Sequence, residues 1–70
     1  MQRVPVKSSN LKSVGYDPST KTLEVEFQSG DVHQYEGVPA HHHSMLMRSK
    51  SPGGYFHQNI RGAGYRSRKV

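Results

Sequence analysis

The sequence predicts an α+β domain, a three-stranded antiparallel meander packed by two short C-terminal helices. Three observations predict it. TLEVEF, residues 22–27, alternates Leu23, Val25 and Phe27 with Glu24 and Glu26, the period of a strand with one buried face. Turn-forming sequences, DPSTK and QSGD, lie on either side of it. Two segments led by prolines then carry apolar residues at helical rather than alternating spacing.

Residues 1–7 show no usable periodicity and read as a tail or a short edge segment. A first strand is expected from about Leu11 to Tyr16, with Gly15 marking a bulge or a close approach. Asp17 opens the next turn and Pro18 presets its φ. After the central strand, Gly30 can supply the positive φ of a hairpin turn. VHQY then places His33 and Tyr35 on one face and Val32 and Gln34 on the other. A meander of this size needs a cover for its apolar face.

Two helices supply that cover. Pro39 suits a helix start, and the spacing puts Val38, His42, Met45, Leu46 and Ser49 on roughly one side. With Leu46 inward, one neighbouring methionine should pack and the other lie half exposed. Arg48 and Lys50 suit the negative end of the helix dipole. Ser51 and Pro52 repeat the start signal, Phe56 and Ile60 lie four apart, and Gly62 and Gly64 are stop residues. The domain is therefore expected over residues 8–61, with 62–70 a mobile basic tail.

Composition narrows the class of molecule. Seventy residues at 31% hydrophobic content make one small core and no second domain. The chain has no cysteine, hence no disulfide framework or thiolate metal site, which favours a reducing cytoplasm. It shows no signal-peptide pattern and no apolar run long enough to span a membrane. The net charge is +5, unevenly distributed. All five acids lie in residues 17–36 beside one base, Lys21, a net −4. Residues 37–70 hold six cations and no acid, a surface suited to polyanions or simply to solubility.

AHHHSMLM, residues 40–47, raises the question of a metal site. Successive helix residues are rotated by about 100°, so His41, His42 and His43 cannot converge on one ion. The reading preferred is a helix with partly buried imidazoles, and no metal or cofactor is expected. Met45 and Met47 are core fillers or a partner-binding surface. SPGG has the ingredients of an anion cradle but lacks the Gly-Lys-Ser/Thr ending of a nucleotide loop, and reads first as a helix cap. No nucleophile, base and orienting group stand at defined spacing, so the chain does not read as an enzyme.

The ordered motifs SSNL, VGYD, TLEVEF followed by SG, Y-x-GVP and SPGGYF with Ile60 resemble the KTSC domain. That module is named for its place at the C-terminus of some lysyl-tRNA synthetases and also occurs alone in bacteria and phages. The resemblance covers about Ser8 to Ile60. It implies the α+β fold and, from the synthetase context, a suggested RNA-binding role. The family's Tyr-x-Tyr is here His33-Gln34-Tyr35, and apolar and aromatic residues of its helix are replaced by His42 and His43.

The functional expectation is a non-enzymatic module that binds RNA or single-stranded nucleic acid. Arg48, Lys50, Arg61, Arg66, Arg68 and Lys69 would attract phosphate, while Tyr65, Tyr35 and His33 would offer stacking faces. The alternative is a protein–protein interaction module of bacterial or phage origin, using Met45, Met47 and the histidine face. A membrane partner is not expected.

Overall fold

The computed structural model describes all 70 residues. The expected meander forms its centre: β2 (Leu11–Asp17), β3 (Thr22–Phe27) and β4 (Val32–Tyr35). Two three-residue strands extend it, β1 (Arg3–Pro5) beside β2 and β5 (Ser67–Lys69) beside β4. All neighbours are antiparallel, in the order β1-β2-β3-β4-β5. The N-terminal segment takes the edge-strand form of its two readings, and the C-terminal segment, read as a mobile tail, is instead paired with β4 as an edge strand.

The register sorts the side chains. Val14 faces Val25, Leu23 faces both Tyr16 and Tyr35, and Val25 faces His33, so these residues share the inner face. Glu24 and Glu26 take the outer face. Across that face runs a row contributed by all five strands, Arg3, Gly15, Glu24, Gln34 and Arg68. Arg3 Nη1 lies 3.2 Å from Glu24 Oε2, Gln34 Nε2 donates to Glu24 Oε1 at 2.9 Å, and Arg68 Nη2 donates to Gln34 Oε1 at 3.1 Å. Gly15 is what lets the Arg3 chain cross β2. A Cβ at Gly15 would stand 2.6 Å from the Gln2 carbonyl oxygen and 3.0 Å from Arg3 Cγ. Of the two readings of Gly15 the close approach holds, and the bulge of β2 lies between Leu11 and Ser13.

Helices α1 (Ala40–Arg48) and α2 (Pro52–Phe56) cover the inner face, and α2 continues into a π-helical turn, His57–Arg61. Pro39 caps α1 and Pro52 is the first residue of α2. The core holds nine buried residues: Leu11, Val14, Leu23, Val25, Tyr35, Val38, Leu46, Phe56 and Ile60. Met47 packs against this core, whereas Met45, placed inward by simple periodicity, is 48% exposed. No helix is long and apolar enough to cross a membrane.

The three histidines diverge. His41 is exposed. His42 Nδ1 and the Tyr55 hydroxyl share a hydrogen bond of 2.9 Å, and the Tyr65 ring meets the His42 ring edge-on at 6.2 Å. His43 stacks on Tyr16 with centroids 5.0 Å apart, while the Tyr16 hydroxyl donates to the Val38 carbonyl. Tyr65, read from sequence as a free stacking face, is half buried against the core and His42. Both His42 and His43 titrate below the ordinary histidine value, chiefly because packing strips water from the charged ring, with His41 adding repulsion at His42. They also occupy the N-terminal turn of α1, which has no acid to offset a cation there.

Two outcomes follow for stability. Gly15→Ala forces β1 away from β2 and breaks the Arg3–Glu24 pair. Overpacking of this kind costs about 1–3 kcal/mol. In a domain of this size each of those is worth roughly 4–8 °C in Tm. Thermal unfolding and amide exchange in β1 measure it, and an unchanged Tm with β1 still protected contradicts the argument. Acidification is the second case. The unfolded chain protonates its histidines near about pH 6.5 while folded His42 and His43 resist, so the unfolded state binds more protons. Stability therefore falls as pH drops below that value and levels off below the folded pKa values. His43→Phe, which keeps a ring on Tyr16, flattens part of the slope. A Tm that stays level or climbs between about pH 7 and about pH 5 refutes the assignment.

Candidate functional site

The helices stop short of the end of the inner face nearest the β3–β4 turn, and a groove of about 560 Å³ opens there. Its wall on one side is Ser9, Asn10 and Leu11, where the chain enters β2. Phe27, Gln28, Ser29 and Asp31 come from the hairpin, His33 and Tyr35 from β4. Gly53, Phe56 and His57 of the helical segment, with Arg61 at the end of the π turn, complete it.

Local sequence explains how each wall is held. Ser8 Oγ accepts the backbone N–H groups of Asn10 and Leu11, both at 3.1 Å, fixing the turn before β2. Gln28 Nε2 donates to the carbonyls of Ser8 and Leu11 at 3.3 and 3.1 Å, tying that turn to the hairpin. Gly53 packs on the same turn, since a Cβ there would stand 2.8 Å from Ser8 Oγ. The SPGG segment is thus a packing device at the start of a five-residue helix. Gly62 N–H reaches the His57 carbonyl at 3.0 Å, the wider spacing of a π turn, which keeps Ile60 buried and carries Arg61 to the groove. Turns of this type recur at functional sites.

The floor is aromatic. His33 meets Phe27 edge-on at 5.4 Å, Phe27 meets Phe56 at 5.6 Å, and Phe56 meets Tyr35 at 5.3 Å. Tyr35 is 6% exposed, yet its hydroxyl bonds to no protein group and is not buried, so it opens into the groove. Burial pushes this phenol above its usual pKa, with Arg61 pulling the other way, and it stays protonated at neutral pH. Asp31, the only acid lining the groove, is paired with Lys69 at 3.2 Å. Arg61 pairs with no carboxylate. The groove therefore offers an unpaired guanidinium, a phenol and an imidazole over apolar rings, a set suited to holding an anionic, partly aromatic ligand.

Of the residues singled out from sequence, the structure brings His33, Tyr35 and Arg61 together here. Lys69 stands beside His33 in the β4–β5 register and is engaged by Asp31. Arg68 lies on the opposite face, bonded to Gln34. Arg66 is exposed, and its carbonyl accepts the Glu36 N–H. Arg48 ends α1, and Lys50 lines a separate shallow trough with Val4, Lys7 and Met47. The cations close in sequence are thus dispersed in space. Ser9 and Asn10 were not among the residues singled out; the adjacency of their turn to the QSG turn, through Gln28, is a long-range fact that no local pattern carries.

A family model described as the KTSC domain matches residues 7–65. An uncharacterized protein of Stutzerimonas stutzeri (strain A1501) is 44% identical over 66 residues, covering 94% of this chain and 93% of its own length. A Lysine--tRNA ligase of Nostoc sp. (strain PCC 7120 / SAG 25.82 / UTEX 2576) is 39% identical over 56 residues, which are 80% of this chain but only 10% of the ligase. The crystal structure of a KTSC domain protein from Yersinia pestis aligns with a TM-score of 0.93 at 40% identity, over 99% of this chain and 96% of that one. With a family model, a relative of equal length and a solved structure in agreement, the chain belongs to the KTSC domain family.

Proposed function

We propose that this protein is a small non-enzymatic module that binds RNA or single-stranded nucleic acid in the cytoplasm, with the groove as its contact site. The observation that carries the reading is Arg61, a cation without an acidic partner, set beside the unbonded Tyr35 hydroxyl and His33 over an aromatic floor. Phosphate attraction joined to ring contact is how single strands are commonly held. The likeness to a tenth of a Lysine--tRNA ligase adds weight, because that enzyme acts on a tRNA.

A second reading, a protein-interaction module of bacterial or phage origin, draws on exposed Met45 and on the trough lined by Val4, Val6, Met47 and Pro52. Salt separates the two, since neutralising phosphates makes affinity fall with ionic strength and an apolar contact does not.

The experiment is an anisotropy titration of short single-stranded RNA at low and at physiological salt. Binding should weaken with salt. Arg61→Ala should cost about tenfold or more, in line with a charged hydrogen bond. Arg48→Ala with Lys50→Ala should cost less, because those cations lie away from the groove. Absence of binding at low salt defeats the proposal.

A further inference from the structure

We infer that the groove seats a single nucleotide, with its phosphate on Arg61 and the Tyr35 hydroxyl and its base against Phe27 and His33, rather than tracking a run of strand. The inference rests on the nucleic-acid reading above and states what unit of the polymer is read. Size is the first ground. About 560 Å³ is the scale of a pocket that takes one small molecule, not of a channel along a chain.

Unspent polar capacity is the second. Gln28 and Asp31 are already engaged within the protein, by carbonyls and by Lys69. The side chains of Ser9, Asn10, His33, Tyr35 and Arg61 line the same groove, and none makes a hydrogen bond or ion pair with another protein group. Asn10 is a carboxamide, a donor and an acceptor side by side, the pattern that reads the edge of a base. Arg61 offers a planar fork for phosphate.

The third ground is where cations are missing. A strand-tracking groove needs several in succession. Here Arg3 is held by Glu24, Lys69 by Asp31, and Arg68 faces the outer side of the sheet, bonded to Gln34. Arg48 at the end of α1, Lys50 just after it and exposed Arg66 before β5 all lie outside the lining of the groove. Arg61 is the one arginine or lysine that lines the groove, one guanidinium to meet one phosphate. A single phosphate contact gives a slope of log affinity against log salt near −0.7, whereas four would give nearly −3.

The test titrates the intact chain with adenosine and uridine 5′-monophosphates, the matching nucleosides and inorganic phosphate. It follows backbone and side-chain NMR signals, and competes the same ligands against labelled single-stranded RNA. The expected result is that monophosphates shift Asn10, His33, Tyr35 and Arg61 and displace the RNA. Nucleoside or phosphate alone should bind at least about tenfold more weakly, as each lacks one of the charge and ring contacts. Arg61→Ala should erase the advantage of monophosphate over nucleoside. Tyr35→Phe, which keeps the ring in the core, should weaken monophosphate binding several-fold without lowering Tm. RNA binding with a steep salt slope that monophosphates do not compete overturns this inference and leaves the binding function standing. No RNA binding at low salt overturns the function beneath it.

Discussion

The ring of Phe56 is the contact on which both the core and the groove depend. A one-sided meander exposes its apolar face unless something covers it, and this chain has only nine buried core residues with which to do so. Leu46 and Ile60 fill beneath the two helical segments, and Val38 closes the connection between sheet and helix. Phe56 alone among the helical core residues meets rings from two strands edge-on, Phe27 of β3 and Tyr35 of β4. Such pairs add about 0.5–1.5 kcal/mol each beyond the area they bury. The lid is anchored on those two rings, and its π turn brings Arg61 to the edge of the face it leaves uncovered. The inner face past that point stays open, and the groove is what is left.

Charge follows the same economy of a small fold. The acids of the meander and the cations of the two ends are separate blocks in the chain, but the edge strands fold them together. Arg3 arrives through β1 and crosses Gly15 to reach Glu24, Arg68 arrives through β5 and reaches Glu24 by way of Gln34, and Lys69 holds Asp31. The exposed Lys69–Asp31 pair contributes little stability by itself, and Arg3–Glu24 is the more covered of the two. Their larger effect is on what remains. They neutralise the carboxylate that would otherwise oppose an anion in the groove, and they remove Arg3, Arg68 and Lys69 from the free cations. Basic residues on both exposed edges also discourage further strands from adding to the sheet.

How far the sequence disclosed this depended on the range of the signal. Alternation of Leu23, Val25 and Phe27, the turn chemistry of Asp17 and Gly30, and the two proline starts are local, and the elements they predict are present. β1 and β5 are three residues each, too short to show a period. They exist because a neighbouring strand presents free backbone groups, which is information located elsewhere in the chain. That one methionine of α1 packs and the other lies half exposed was legible, but periodicity put Met45 on the inward side, and it is Met47 that packs on the core. Within the site, His33 and Tyr35 were legible as residues on one strand face and Arg61 as part of a cationic stretch. Their convergence with Asn10 was not legible, since it depends on Gln28 linking two turns that lie 17 to 20 residues apart.

The motifs that carry the family likeness divide, in three dimensions, into supports and lining. Ser8, Gln28 and Gly53 spend their chemistry on shaping the turn before β2 and seating α2 on it. Phe27, Phe56 and the Tyr35 ring are shared between core and floor, so replacing them damages folding before it reports on binding. Only polar atoms at the surface of the groove, those of Ser9, Asn10, His33, the Tyr35 hydroxyl and Arg61, are free to change without unpacking the interior. His33 illustrates the division. Its imidazole makes the edge-on contact with Phe27 and also lines the groove. The chemistry of the groove rim and the packing of the fold are thus carried by different atoms of the same small set of residues.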